Sequence, residues 1–542
     1  MMGPSTHGVT DAAEERTLYL GGRLYTATDP FATAMLVVDG TVAWLGSDGA
    51  AEVMRDIGTS VVDLAGAFVT PAFVDAHLHT TATGMVELGL DLTATTSRAE
   101  VLESVRSRVG AGVIIGYGWD ERLWPDARPP TSAELDRAGY GGAVFLDRAD
   151  VHSSVASSSL LAALPELQGM DGYDPEGWLR HEAHDYARAA VYAELPADLR
   201  AQAQRWTRAE AARYGIGAIH EIGGPSISSH PDVSALLSLA AAEPGPEVIA
   251  YWGELSAGSR ALELGCAGAA GDLYIDGTVG SHTAALREPY ADDPTAGYTY
   301  VSAAQVRDHV VHCAEANIQA GFHVIGDAAL DTVLAGFVEA GEAIGADRVR
   351  AGGHRLEHVE LVRAEHISVM ADFGIVASVQ PRFDEEWGGP DGMYSERLGD
   401  RWQLMNPFAA MQAGGVVLAF GSDSPVTSLD PWQAVRAAAH HRTPGQALSV
   451  RAAFSAHTRG GWRAAGREGG VLAPGAPASL AIWQADELVV AAPDGRVSAW
   501  STDPRSATPG LPVLSDDAPS PLCLRTVVHG TTVYDAGVLA GD

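Results

Sequence analysis

Between residues 17 and 69, apolar and polar positions alternate in short runs, Leu18–Leu20, Ala34–Val38 and Thr41–Leu45, each cut by glycine or aspartate at Gly21, Asp39-Gly40 and Asp48-Gly49. Period-two alternation with such turn residues predicts a small antiparallel β unit. The C-terminal stretch repeats the pattern in Leu480–Trp483, Leu488–Val490 and Leu524–Tyr534, the last broken at Gly530. Chain ends often meet in space, so the two stretches can share one β-sandwich domain.

Between them the pattern changes. Short apolar runs alternate with alanine-rich helical stretches, the signature of βα units around a parallel sheet. Eight candidate strands stand out: Phe68–His77, Gly217–Glu221, Val248–Trp252, Leu273–Ile275, Ala320–Val324, Arg355–His358, Ile375–Val379 and Val416–Gly421. Eight is the number that closes a (β/α)8 TIM barrel. The interval from about 92 to 205 is too long for one crossover helix and carries its own Trp, Pro and Gly, which predicts a subdomain inserted after the first strand, over the barrel mouth. The expected organisation is a flexible tail over 1–16, a β-sandwich from 17–70 plus 470–542, and a barrel over 71–469 with its insertion. Pro493–Pro521, rich in Pro, Ser and Asp, reads as surface loop.

Composition narrows the function classes. The chain has 542 residues, 69 Asp+Glu against 35 Lys+Arg and a formal charge of −34. Such a balance repels phosphate backbones and anionic headgroups, so neither nucleic acid nor a membrane is an expected partner. A small-molecule substrate is expected, and a homodimer is allowed. With 46% hydrophobic residues, no long apolar run and no secretory pattern at the N-terminus, the chain reads as a soluble globular protein. Three scattered cysteines, Cys266, Cys313 and Cys523, form neither a disulfide framework nor a CxxC site, which fits a cytoplasmic setting. All 35 basic residues are arginine; the sequence contains no lysine.

Metal-ligand residue types fall at the ends of the candidate strands. His77 and His79 close the first, and side chains two apart in a strand share a face, so both imidazoles can reach one ion. Alone, that pair could equally be two incidental strand histidines. His323, His358 and Asp423 at the ends of the fifth, sixth and eighth runs shift the balance, because all C-terminal strand ends of a barrel share one mouth.

Those motifs, Val69–His79, Gly215–Glu221, Asp276–Ala284, Gly321–Asp327, His354–His358, Gly421–Asp423 and Gly470–Gly475, occur in an order that resembles the amidohydrolase superfamily. Within it, the chain is similar to metal-dependent hydrolases related to N-substituted formamide deformylase and the YtcJ-like proteins. The resemblance implies a distorted (β/α)8 barrel with a β-sandwich from both chain ends and a divalent metal, zinc by preference, as one or two ions. It implies that His77 and His79 bind the first ion, that His323 and His358 bind a second or share the first, and that Asp423 is a ligand or takes the proton of the attacking water. Many relatives carry a carboxylated lysine bridging two metals on the fourth strand; by register that position is Asp272. An aspartate falls roughly 4 to 5 Å short of a carbamate oxygen. The simplest consequence is one ion held by His77, His79, His323 and Asp423, with His358 orienting the water; a two-ion site with Asp272 or water as bridge stays open.

The implied activity is hydrolysis of a C–N bond in a small amide, an N-formyl or N-acyl amine first. Alternatives are deamination of a cyclic amidine at a mononuclear site, a non-catalytic binding descendant, and carbonyl isomerisation. Candidate substrate contacts are His220 at the second strand end, His282 where relatives often have arginine, Trp119 as part of a lid, His152 after Asp150, and Arg382 after the seventh strand. Each has a structural alternative: a satisfied strand-end histidine, a surface loop, subdomain packing or a solvated arginine.

Overall fold

The apolar run at residues 68–78 divides at Ala72. Phe68–Pro71 joins a sheet built from both chain ends, and Phe73–Leu78 (β1) enters a barrel. The structure, a computed structural model, describes residues 14–108, 112–485, 487–491, 500–501, 509–515 and 518–540. Most of the expected tail and much of the expected loop Pro493–Pro521 lie outside these residues.

β1 is followed by Ile216–Gly223 (β2), Glu247–Trp252 (β3), Gly268–Ala269 (β4), Gln319–Val324 (β5), Arg355–His358 (β6), Val376–Val379 (β7) and Val417–Phe420 (β8). They form one sheet in chain order, every pair parallel. Covered by helices outside and side chains inside, such strands are buried on both faces, which is why they read as nearly unbroken apolar runs. The ring closes between β1 and the residues after β8: the Asp423 N–H donates to His77 O at 2.7 Å and the His79 N–H to Ser424 O at 3.0 Å. Gly421 allows this approach, since a Cβ there would lie 2.5 Å from His77 N.

The fourth strand differs from expectation. Only Gly268 and Ala269 belong to the sheet, and Gly271, at φ +97°, turns the chain out of it. Leu273–Ile275 instead runs beside β5, with the His323 N–H donating to Leu273 O (3.1 Å) and the Ile275 N–H to His323 O (2.9 Å).

Outside the ring, the helix Ala303–Ala316 buries Val306, His309, Val310, Cys313 and Ala314, one stripe at three- and four-residue spacing. Phe322 of β5 meets Phe337 of the helix Asp327–Ile344 edge to face at 6.3 Å, both fully buried; burial of each such ring is worth about 1.5–3 kcal/mol.

The chain ends supply two packed sheets. One joins Arg23–Leu24, Phe68–Pro71, Leu480–Gln484, Leu522–Val528 and Thr531–Asp535; the other joins Thr41–Gly46, Ala34–Val38, Arg16–Leu20 and Thr59–Asp63. Met35, Val37 and Val62 of the second share a core with Val69, Leu480 and Ile482 of the first. The second sheet is mixed rather than purely antiparallel, because Arg16–Leu20 pairs in parallel with Thr59–Asp63. Within the interval after β1, a five-stranded sheet of Leu90–Asp91, Ile114–Trp119, Val144–Arg148, Ser153–Ala156 and Trp178–Arg180 has its own apolar cores. No helix among the described residues is long and apolar enough to cross a membrane. The three cysteines are free and buried.

Candidate active site

Asp272 sits among four histidines. Its Oδ2 lies 3.6 Å from His77 Nε2 and 3.4 Å from His79 Nε2, and its Oδ1 lies 3.6 Å from His323 Nδ1 and 3.5 Å from His358 Nε2. Asp423 Oδ1 faces the first pair alone, 3.4 Å from His77 Nε2 and 3.2 Å from His79 Nε2. His323 therefore meets Asp272 and not the corner formed by His77, His79 and Asp423. Asp272 follows the Gly271 turn, and its backbone packs closely on Gly253, where an added Cβ would lie 2.9 Å from Asp272 C. His358 (φ 70°) and Asp423 (φ 53°) both hold the left-handed conformation. Non-glycine residues rarely adopt it, and such positions cluster at functional sites.

The far side of each ring is anchored. His77 Nδ1 lies 2.9 Å from Glu357 Oε2, His79 Nδ1 3.0 Å from Ile222 O, and His358 Nδ1 3.0 Å from Gln380 Oε1. His323 is turned round, with Nε2 3.3 Å from Gly277 O. All four acceptors are oxygens, so the anchoring nitrogens carry protons, and the inward nitrogens can offer lone pairs to a cation that displaces any proton they hold.

Those inward atoms lack partners. His77 Nε2, His323 Nδ1, His358 Nε2, Asp272 Oδ1 and Asp423 Oδ1 are buried without a hydrogen bond, and separations of 3.2–3.6 Å are long for one. Two sets, His77/His79/Asp423 and His77/Asp272/His358, have all their donor atoms within 4.8 Å of one another. Imidazole nitrogens and carboxylate oxygens at such a convergence fit a divalent cation.

The electrostatics favour positive charge here. Burial opposes protonation of His77, but Asp272 and Asp423 overcome it and hold the imidazole well above its usual range. The same contest lifts His79 to about 9. Burial also works against ionisation of the two aspartates, yet His77 and its neighbours keep both well below the usual carboxylate range. His323 is shifted down by burial and by the charge of His358.

Above these donors is a cavity of about 30 Å³. Phe383, Trp387, Met393 and Tyr394 form an apolar wall; Asp150, His152 and Glu360 add polar groups. Phe383 stacks on His358 (6.1 Å between centroids), and Trp387 meets Phe383 at a 41° tilt (4.6 Å). Trp387 and Val426 also border a wider groove of about 620 Å³ that passes Thr83, Tyr117 and Trp206.

Of the expected substrate contacts, His152 lines the cavity, 5.6 Å from the His323 ring. The other four are placed elsewhere. His220 is fully buried inside the barrel, where its Nδ1 accepts from Arg355 at 2.9 Å. Trp119 is fully buried in the inserted sheet's core and donates to Leu146 O at 2.9 Å; apolar packing claims it. His282 pairs with Asp292 at 3.0 Å outside the cavity lining. Arg382 is neutralised by Glu385 and Glu386 on its own helix, Pro381–Trp387.

Several site residues carry no expectation from the sequence, among them Glu357, Arg355, Gln380, Asp150 and Glu360. Glu357 and Arg355 had a readable signal: two opposite charges two apart in a barrel strand point the same way and must be paired if buried.

Relatives bear on this geometry. The chain is 28% identical over 470 residues to the putative amidohydrolase YtcJ of Bacillus subtilis (strain 168), covering 78% of this chain and 83% of that protein. It is 24% identical over 511 residues to the N-substituted formamide deformylase of Arthrobacter pascens, covering 86% of this chain and 92% of that one. The crystal structure of an uncharacterized metal-dependent hydrolase from Pyrococcus furiosus superposes with a TM-score of 0.71 at 25% identity, covering 87% of this chain and 99% of that one. The sequence profile of the amidohydrolase family spans residues 60–534, strand ends and donors included, and the chain belongs to that family.

Proposed function

We propose that the protein is a metal-dependent hydrolase of a C–N bond in a small amide, with an N-formyl or N-acyl amine as the favoured substrate. The observation that carries this reading is the convergence of orphaned imidazole and carboxylate atoms on Asp272 and Asp423 at the barrel mouth. His77, His79, Asp423 and Asp272 would hold one ion, and His323 and His358 on the other oxygen of Asp272 would allow a second. Bound there, a divalent ion such as zinc lowers the pKa of water and polarises a carbonyl. The rest falls to side chains. Asp423, facing the cavity, accepts the proton of the attacking water and returns it to the leaving nitrogen. His358 holds its side of the centre in place through Gln380. His152, the one expected substrate contact in the cavity, orients the carbonyl. The apolar wall of Phe383 and Trp387 receives an uncharged substituent and limits water. The formamide choice rests on the similarity to the Arthrobacter pascens protein.

The test is metal analysis of protein purified without added metal, joined to an activity screen over formamides, N-acyl amino acids and cyclic amides. Metal at about two per chain with turnover of a formamide or acyl amide supports the reading. Absence of bound metal, with no rescue by zinc or manganese, would overturn it in favour of a non-catalytic descendant.

A further inference from the structure

Beneath the histidines, the barrel interior holds an ion pair that the hydrolytic steps do not use. Arg355 and Glu357, both on β6, are fully buried. Arg355 Nε donates to Glu357 Oε1 at 2.6 Å and its Nη2 to Oε2 at 3.0 Å, a two-pronged grip on the carboxylate. The guanidinium is itself fixed by Ala76 O (2.6 Å), Ser378 Oγ (3.1 Å) and His220 Nδ1 (2.9 Å), and lies 4.4 Å from the centre of the Tyr251 ring. The free side of this assembly meets the site: Glu357 Oε2 is 2.9 Å from His77 Nδ1.

We propose that Glu357, held by Arg355, is a positioning residue that sets the ring orientation and tautomer of His77 and thereby the affinity of the metal centre. The inference rests on the metal reading of the site. An ionised carboxylate only accepts, so His77 Nδ1 must carry the hydrogen and Nε2 is left as the donor atom. That nitrogen faces both Asp272 and Asp423. His79 and His358 are anchored by neutral oxygens, Ile222 O and Gln380 Oε1. Among the four histidines, His77 alone has a carboxylate behind it, and it belongs to both donor sets. A carboxylate partner makes an imidazole a stronger ligand, and losing such a partner typically weakens metal binding 10–100-fold. Buried ion pairs add little to stability over neutral groups of similar size. Filling the barrel therefore does not by itself require a charge at this point.

The test is competition against a chromophoric chelator for zinc and for manganese, each alone, using wild-type protein and Glu357→Gln, with unfolding of the metal-free forms followed in parallel. The expected result is about 10–100-fold weaker binding by a folded variant. Arg355→Met combined with Glu357→Gln removes the unpaired guanidinium and should show the same loss if the single variant does not fold. Wild-type affinity in either folded variant overturns the positioning role while leaving the metal centre intact. Failure of the double variant to fold overturns it as well, assigning the pair to the scaffold. A wild type that binds neither ion sinks both readings.

Discussion

His77 and Asp423 are joined twice: the Asp423 N–H donates to His77 O at 2.7 Å across the seam of the barrel, and their side chains face each other at 3.4 Å. The seam is backed by Asp75, whose Oδ1 accepts the Ser422 N–H at 2.9 Å and the His77 N–H at 3.2 Å. Metal held by these side chains should therefore stabilise barrel closure. Chelation should lower the thermal midpoint, and added zinc or manganese should restore it. At an ion concentration 100-fold above Kd the expected stabilisation is about 2.7 kcal/mol. Calorimetry with and without chelator measures it; an unchanged midpoint would count against a metal in the seam.

Asp423→Asn keeps the shape but removes the carboxylate proposed to accept the proton. Turnover should fall by about 10²–10⁴-fold, with the far-ultraviolet circular dichroism of the folded protein unchanged. Near-normal turnover would remove Asp423 from the proton path.

The lack of any lysine makes Asp272 testable in two ways. A carbamate bridge needs a side-chain amine and carbon dioxide, and this sequence offers no lysine amine. Metal-free enzyme reconstituted in bicarbonate-free buffer should thus regain the same metal content and rate as with bicarbonate. Asp272→Asn, which replaces one carboxylate oxygen with an NH₂ group, should lower metal content by at least about half, as read by elemental analysis after dialysis.

Two histidines expected from the sequence as substrate contacts, His152 and His282, should behave differently from each other. His152→Ala should raise KM by about tenfold, the equivalent of one hydrogen bond of ~1.4 kcal/mol. His282→Asn suits the positive φ of 58° at that position and removes a partly exposed pair with Asp292 and an edge-on ring contact with Tyr290. It should leave KM and kcat within about twofold. Steady-state kinetics on the same substrate separates the two.

Trp119 should affect folding rather than binding. Trp119→Ala empties a core site shared with Trp124 and Leu146 and should cost about 3–5 kcal/mol in denaturant unfolding. A large KM change at full stability would return it to the pocket.

Seven of the eight strands were legible because a buried parallel strand needs an apolar run whatever surrounds it. β4 was not: its two residues, Gly268 and Ala269, carry too little pattern to distinguish from loop, while the more apolar Leu273–Ile275 beside it drew the assignment. His77, His79, His323, His358 and Asp423 were readable as a group because barrel topology brings strand ends together without any knowledge of loops, whereas Asp272 was reached only through the resemblance, by register with the relatives' lysine. The placement of His220, Trp119, His282 and Arg382 away from the cavity was not readable, for the opposite reason. Which way a side chain faces near a strand end or in a loop depends on partners far along the chain: Arg355 for His220, Leu146 for Trp119, Asp292 for His282. Arg382 was the exception, since Glu385 and Glu386 stand three and four residues on, a helical ion-pair spacing visible in the sequence.

The turn at Gly271 has a consequence for how the site is assembled. Lysine reaches its target through a flexible four-carbon stem, and most of that freedom must be frozen before a bridge can form. Asp272 has only a short side chain to immobilise, and after the Gly271 turn that side chain already lies 3.5 Å from His358 Nε2. The position of this carboxylate among the histidines is then part of the folded backbone's shape from the start, and the entropy of organising it is lost during folding rather than when a ligand arrives.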